Sequence, residues 1–177
     1  MGGAMHRPLL YLAAATLACG TLQAQDAKAL VAQAKNAYTQ LKNNLTKAAD
    51  KMSDADYSFQ PVKEIRTFGA LIGHITDAQM RTCSGINGEM KPSPATGKTA
   101  KADLTAALKA SFDECDAAFD KLTDANYLEE VGGGRGQAPR LAALLRVVVH
   151  GNEEYGYLSV YLRLKGIVPP SSDRAPM

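Results

Sequence analysis

The sequence predicts an all-α protein, a four-helix bundle preceded by a signal peptide, from three observations. Apolar residues recur at steps of three and four in four long segments, which is the period of an amphipathic helix. No segment alternates polar and apolar residues for long, so the pattern does not favour strands. Polar or glycine- and proline-rich connectors at residues 53–66, 88–98 and 123–137 separate the four segments. Four helices of roughly 20 to 27 residues form a bundle around one core.

The N-terminal segment has the three parts of a secretory leader. His6 and Arg7 precede an apolar run at residues 9–17, and Leu22-Gln23-Ala24 ends in a small residue. We therefore expect residues 1–24 to be a signal peptide, cleaved after Ala24, and residues 25–177 to form the folded domain. The apolar run is shorter than the about 20 residues that span a bilayer, so no stable membrane insertion is expected after processing.

This leader predicts an exported, periplasmic protein. A lipoprotein acylated at Cys19 is the minor alternative, because Thr16 stands where such a leader carries an aliphatic residue. Cleavage leaves Cys83 and Cys115. An even pair of cysteines in an oxidising compartment is a disulfide candidate, and two buried free thiols are the alternative.

The first two helices each follow a residue that can cap a helix. The first is expected to begin near Asp26 and the second after Thr67, since both side chains can accept a hydrogen bond from a first-turn amide. The apolar stripe of the first helix is Ala27, Leu30, Val31, Ala34, Tyr38, Leu41, Leu45, Ala48 and Met52. The stripe of the second helix is Phe68, Leu71, Ile72, Ile75, Ala78, Cys83 and Ile86.

The last two helices are expected at about residues 100–122 and 139–166. The third carries an apolar stripe from Leu104 to Phe119. The fourth opens with Pro139, which is favoured at a first helical position, and closes at Gly166, with Pro169 beyond it. The fourth helix is apolar on most faces, so we expect it to be the most buried and to leave room for a homodimer.

The two halves of the chain resemble each other. Residues 45–57 align with residues 115–127, with six of the 13 positions identical, and both stretches end a helix and enter a connector. Continued with a few extra residues in the glycine-rich connector, the alignment sets His74 opposite His150 and Asp77 opposite Glu153. An internal duplication would point the two histidines at a common place, although a composition rich in alanine, aspartate and lysine can produce such a match by chance.

His150 and Glu154 lie four residues apart, so a helix places them on one face, one turn apart. Together with His74 they would offer two imidazoles and one carboxylate to a divalent metal ion, whose candidates are zinc, nickel, manganese and iron. Such a site leaves positions open for water or substrate. Asp77 and Glu153 are expected to support these ligands or to lie at the surface. The alternative is that both imidazoles are hydrogen-bonded groups of an ordinary core.

Other classes of function find little support in the sequence. The formal net charge is +2, no tryptophan is present and basic residues form no run, which argues against nucleic-acid binding. Residues 132–136 are rich in glycine but lack the Gly-Lys-Ser/Thr ending of a phosphate loop, so a flexible connector is expected there.

Four motifs resemble the exported branch of the DinB-like (DinB/YfiT-like) metalloenzyme family over nearly all of the mature chain. They are Ser58-Phe59-Gln60-Pro61, Glu64-Ile65-Arg66-Thr67-Phe68-Gly69, Leu71-Ile72-Gly73-His74-Ile75-Thr76-Asp77-Ala78-Gln79 and Tyr161-Leu162-Arg163-Leu164-Lys165-Gly166-Ile167-Val168-Pro169-Pro170. The resemblance implies an up-down-down-up bundle and a triad of metal-binding histidines, one from the second helix and two, spaced His-x-x-x-His, from the fourth.

The positions that match this triad are His74, His150 and Glu154, so a carboxylate stands in place of the third histidine. The resemblance implies a divalent-metal-binding protein, a metal-dependent hydrolase or transferase that acts on an unknown small molecule in the periplasm. The alternative is a non-enzymatic helical module, for binding or stress response, whose metal site has degenerated.

Overall fold

Four long helices account for most of the computed structural model, which describes residues 7–173, with side chains from residue 26 onward apart from that of residue 135. The helices are α1 (Arg7–Lys51), α2 (Phe68–Asn87), α3 (Lys101–Asp120) and α4 (Arg140–Leu164). Short 3₁₀ turns lie at Asp54–Ser58, Gly134–Gly136 and Pro170–Ser172. Helix α2 packs against α3 and α4, and α1 packs against α4 and α3. The all-α fold class is therefore confirmed.

The start predicted for the first helix is wrong. Helix α1 continues through Asp26 back to Arg7, so Asp26 is not its N-cap. The reason is that the segment before Asp26 is rich in alanine, leucine and glutamine, which have high helix propensity, and its one proline, Pro8, lies in the first turn, where proline is tolerated. Residues 1–6 of the expected signal peptide lie outside the described residues, and its cleavage stays a prediction. Among the described residues, no helix combines the length and the apolar character that crossing a membrane requires.

Helix α4 also begins later than predicted, at Arg140 rather than at Pro139. Two residue pairs form a short antiparallel ladder between β1 (Glu130–Val131) and β2 (Ala138–Pro139), which the sequence does not indicate. The amide of Arg140 donates to the carbonyl of Glu129 at 2.8 Å. The connector thus satisfies a helix amide that has no partner within the helix itself.

Most residues of the predicted apolar stripes form one continuous core, but Leu30 is wrongly placed there, since it is 48% exposed on the outer face of α1. The largest fully buried side chains of this core include Leu41 and Leu45 from α1, Ile72 from α2, Phe112 from α3 and Leu158 from α4. Tyr38 stacks on Phe119 with 3.9 Å between the ring centroids, which ties α1 to α3.

Helix α4 is not the most buried helix. It exposes large apolar side chains at successive turns, because its apolar residues surround the helix and only part of its circumference faces the core. These side chains are Leu145, Val149, Tyr157, Val160 and Leu164. A single chain does not test the expected homodimer, which stays a prediction.

Cys83 of α2 and Cys115 of α3 form a disulfide, with 4.9 Å between their Cα atoms. Both residues are fully buried. The bridge joins the helix that carries His74 to its neighbour, so the predicted pairing is confirmed and the alternative of two free thiols is wrong.

We expect the double variant Cys83→Ser, Cys115→Ser to lose about 3–4 kcal/mol of unfolding free energy, because the bridge closes a loop of 32 residues in the unfolded chain. Urea unfolding under oxidising conditions measures the loss. The parent protein with a reducing agent is the matched control and should fall to a similar stability. A loss below about 1 kcal/mol in both samples would contradict the prediction.

Candidate metal centre

Helix α2 presents His74 two turns after a defined start. The side chain of Thr67 accepts a hydrogen bond from the amide of Ala70 at 3.1 Å, as the sequence predicts for an N-cap. The first turn is followed by the buried pair Leu71 and Ile72, which face the core. His74 lies at the edge of this face, with 31% of its side chain exposed.

Helix α4 lies close to α1 next to His150. A Cβ atom at Gly151 would lie 2.5 Å from Cδ2 of Leu41, a side chain that is fully buried. A residue larger than glycine would therefore force the two helices apart or displace Leu41. Gly151 therefore allows α4 to pack closely against α1. Glu154, about one turn later, is buried.

The structure brings His74, His150 and Glu154 together. Nε2 of His74 lies 3.4 Å from Oε1 of Glu154, and Nδ1 of His150 lies 3.6 Å from the same oxygen. The two imidazole rings are perpendicular, with centroids 5.2 Å apart. Each residue offers one ligand atom, and the three atoms lie within 4.8 Å of one another. This cluster can hold a metal ion.

The donor atoms fit a divalent cation better than they fit each other. Oε2 of Glu154 is buried and has no hydrogen-bond partner within the part of the chain that the structure describes. A buried carboxylate oxygen without a donor or cation is costly. The 3.6 Å separation from His150 is too long for a hydrogen bond. Metal–ligand bonds of about 2.0–2.2 Å place tetrahedral ligands roughly 3.3–3.6 Å apart. The two separations from Oε1 match this range, and the three ligand atoms together lie within 4.8 Å of one another.

Burial lowers the pKa of His74 below its ordinary value, and the positive charge of Arg66 lowers it further. Glu154 opposes these two effects, since its negative charge favours the imidazolium. The net direction favours the neutral imidazole, which is the form that binds a metal ion.

The two further acidic residues, Asp77 and Glu153, are exposed, which is one of the two placements that the sequence analysis allows for them. The side chain of Asp77 accepts a hydrogen bond from the hydroxyl of Ser93. Oε2 of Glu153 lies 4.0 Å from Nδ1 of His150, on a side chain that is 59% exposed. Neither residue belongs to the cluster of His74, His150 and Glu154.

The tyrosines near the site divide into two groups. Tyr161 is buried and its hydroxyl donates to the carbonyl of Arg66 at 2.7 Å, so it fixes the chain just before α2. Tyr155 is also buried and its hydroxyl donates to that of Ser171 at 3.0 Å. Tyr157, in contrast, is half exposed.

Sequence reasoning missed Arg66 and Ser93 as neighbours of the site. Both lie in connectors, where no helical period indicates which way a side chain points. Arg66 immediately precedes the N-cap Thr67. This position in the sequence is the feature from which its charge could have been predicted to lie near the first turns of α2.

Comparison with known proteins bears on the family and on the fold. The family described as the DinB superfamily matches residues 37–158. A DinB-like protein from Bacillus cereus ATCC 10987 has a similar fold, with a TM-score of 0.65 and 20% identity over 77% of this chain and 93% of that protein. A DinB-like protein from Bacillus subtilis gives a TM-score of 0.63 and 22% identity over 81% of this chain and 99% of that protein. No curated protein matches.

We expect the imidazole of His74 in the metal-free protein to titrate below its ordinary pKa of about 6.5. Because the folded-state pKa is lowered, the stability contributed by the neutral ring is fully present above the unfolded-state pKa and is lost as the pH falls from there through the folded-state pKa. Arg66→Gln should raise the pKa of His74, since it removes a neighbouring positive charge. An NMR titration of the ring measures both effects.

Arg163→Gln is the matched control, because Arg163 lies in the last turn of α4. It should leave the titration of His74 unchanged at equal ionic strength. If the pKa of His74 in the parent protein lay at or above the ordinary histidine value, burial would not be the main influence on that pKa.

Proposed function

Because this chain belongs to the DinB superfamily, we propose that it is a divalent-metal-binding protein of the periplasm, a metal-dependent hydrolase or transferase that acts on a small molecule. His74, His150 and Glu154 hold the metal in a bundle with up-down-down-up helix order. The single observation that carries the proposal is the buried Glu154 carboxylate, which lies between two imidazoles and has one oxygen without a partner in the described structure.

The arrangement of the three residues supports binding rather than mere proximity. Glu154 has 7% of its side chain exposed, whereas the two imidazoles are about one-third exposed. The carboxylate thus forms the floor of the site and the imidazoles form its rim. Solvent or a small molecule can reach the cluster from the rim. A bound divalent cation would supply Lewis-acid activation of a water molecule or of a substrate oxygen.

Each protein group has a separate task in this proposal. Glu154 supplies the one negative charge that partly neutralises the cation, and burial strengthens that attraction because the surroundings have a low dielectric constant. The neutral imidazoles supply nitrogen ligands that suit zinc, nickel and iron, and the carboxylate extends the choice toward manganese. Glu153 lies 4.0 Å from Nδ1 of His150 with its side chain 59% exposed, so it has no ligand role in this proposal.

Export is supported by the N-terminal leader and by the disulfide. A buried Cys83–Cys115 bridge is typical of proteins that fold in an oxidising compartment and is rare in the cytosol. Signal-peptide cleavage after Ala24 would remove the first part of α1 and leave the stripe from Ala27 onward in the core.

A second candidate function is a non-enzymatic module with a degenerate metal site. The observation that favours it is the replacement of the third histidine of the family pattern by Glu154. In this case the cluster would hold no metal ion.

We expect purified protein to carry about one zinc, nickel, manganese or iron ion per chain by elemental analysis, and His150→Ala and Glu154→Gln to remove it. Glu154→His should keep or strengthen binding, since it restores the family triad. Glu153→Gln is the matched control, because it removes a neighbouring carboxylate outside the cluster, and it should retain the metal.

The same variants separate the two candidate functions. Added metal at about 100 times its dissociation constant should raise the unfolding free energy of the parent by about 2.7 kcal/mol and should leave Glu154→Gln unchanged. Parent protein that carries no metal, takes up none of the four ions and is as stable as Glu154→Gln in their presence would favour the degenerate module.

We expect the exported protein to begin at Gln25. Intact mass spectrometry of protein from a periplasmic fraction measures this, and a Cys19→Ser variant should give the same mature mass. A lipid-modified N-terminus at Cys19, lost in the Cys19→Ser variant, would show instead that the protein is a lipoprotein.

A further inference from the structure

A second polar feature lies on the same helices as the metal cluster. A cavity of about 340 Å³ that is partly open to solvent is bordered by α2, α4 and the glycine-rich connector that precedes α4. Two arginines line it, Arg81 from α2 and Arg146 from α4. The remaining lining residues are Thr82, Gly85, Ile86, Met90, Val131, Gly132, Gly133, Gly136 and Ala143.

The cavity carries positive charge with no negative charge to balance it. No carboxylate is among its lining residues. Within the described residues, neither Arg81 nor Arg146 belongs to an ion pair. Two guanidinium groups that share a cavity repel each other, so an anion between them would relieve that repulsion and accept hydrogen bonds from both.

One of the two arginines is held in place by the connector. A terminal nitrogen of Arg146 donates to the carbonyl of Gly136 at 3.3 Å. A guanidinium has five N–H donors, so this bond leaves several for a ligand. The connector wall has no side chain at Gly132, Gly133 or Gly136, and a ligand can therefore approach its backbone closely. The glycine-rich segment that lacks a phosphate-loop motif thus contributes a wall of this cavity.

The cavity and the metal cluster are consecutive along the contact between α2 and α4. Tyr161 of α4 meets the start of α2, Glu154 and His150 meet His74, and Arg146 shares the cavity with Arg81. Along the helix axes, Arg146 is about 6 Å from His150, and Arg81 is about 10 Å from His74. A molecule of a few bonds spans this interval.

We propose that this cavity binds the anionic group, a carboxylate or a phosphate, of the small molecule whose reacting end reaches His74, His150 and Glu154. The assignment rests on the proposed function and adds a substrate class to it: small anions with a reactive group roughly 6–10 Å from the charged end. Arg81 and Arg146 are the residues that bind and orient this end.

The direct test is isothermal titration of the metal-free full chain with inorganic phosphate in one arm and acetate in the other. We expect at least one of the two anions to bind, and the double variant Arg81→Gln, Arg146→Gln to bind it at least tenfold more weakly. Arg163→Gln is the matched control, since it removes an arginine of α4 that does not line the cavity. The anion whose affinity depends on the two arginines identifies the group.

A second measurement locates the anion relative to the metal cluster. With Mn²⁺ bound to the protein, the ³¹P relaxation of bound phosphate should give a metal–phosphorus distance longer than direct ligation of phosphate to the metal allows. The far-ultraviolet circular dichroism and the melting temperature of the double variant should match those of the parent. If the double variant does not fold, the single variants Arg81→Gln and Arg146→Gln replace it, each with an expected loss of at least threefold.

Three results would overturn the inference: no binding of either anion, binding that does not change in the arginine variants, or a metal–phosphorus distance that shows direct ligation. These failures are distinct from failure of the proposed function, because the titration is made without metal. A protein that takes up metal but shows no arginine-dependent anion binding refutes the cavity alone. Arginine-dependent binding in a protein that takes up no metal refutes the metal site alone.

Discussion

The close packing of α1 against α4 at Gly151 is the constraint on which the site depends. Because Leu41 fills the space where a Cβ atom would lie, α4 approaches α1 more closely than a helix with a side chain at this position could. This approach buries Glu154 one turn later, while His150 stays at the rim, one-third exposed. On the other side, the Cys83–Cys115 bridge fixes α2 against α3 and so holds the helix that carries His74. The ligand cluster is thus a consequence of backbone spacing.

Charge along the contact between α2 and α4 follows a simple order. Positive groups lie at both ends, with Arg66 before α2 and with Arg81 and Arg146 around the cavity, and the buried carboxylate of Glu154 lies between them. Arg66 depresses the pKa of His74 and Glu154 acts in the opposite direction. A divalent cation at the cluster would add to the positive potential along the contact between α2 and α4. This potential would favour the binding of an anionic ligand over that of a cationic one.

Periodicity and capping predicted the helices, because both depend on local spacing, whereas His74 was joined to the cluster by the internal alignment and by the family resemblance. Thr67 caps α2 as expected, and His150 and Glu154 share a helix face since they are four residues apart. The predicted start of α1 was wrong because residues of high helix propensity continue on both sides of Asp26, so the helix does not end there. Arg81 and Arg146 gave no signal, since their meeting depends on the register between two helices 65 residues apart in sequence, which local patterns do not encode.

The carboxylate of Glu154 would explain why a separate cavity for the anionic group is needed. A site of three neutral histidines leaves the full charge of a divalent cation to attract the acid group of a ligand, which then competes with water for the metal. A carboxylate ligand removes one unit of that charge and makes the metal a weaker anion binder. In the proposed site, Arg81 and Arg146, one to two turns away, would hold the acid group, and the metal would keep its open positions for the reacting end. A carboxylate in place of the third histidine that the resemblance implies would thus divide binding and chemistry between the cavity and the cluster.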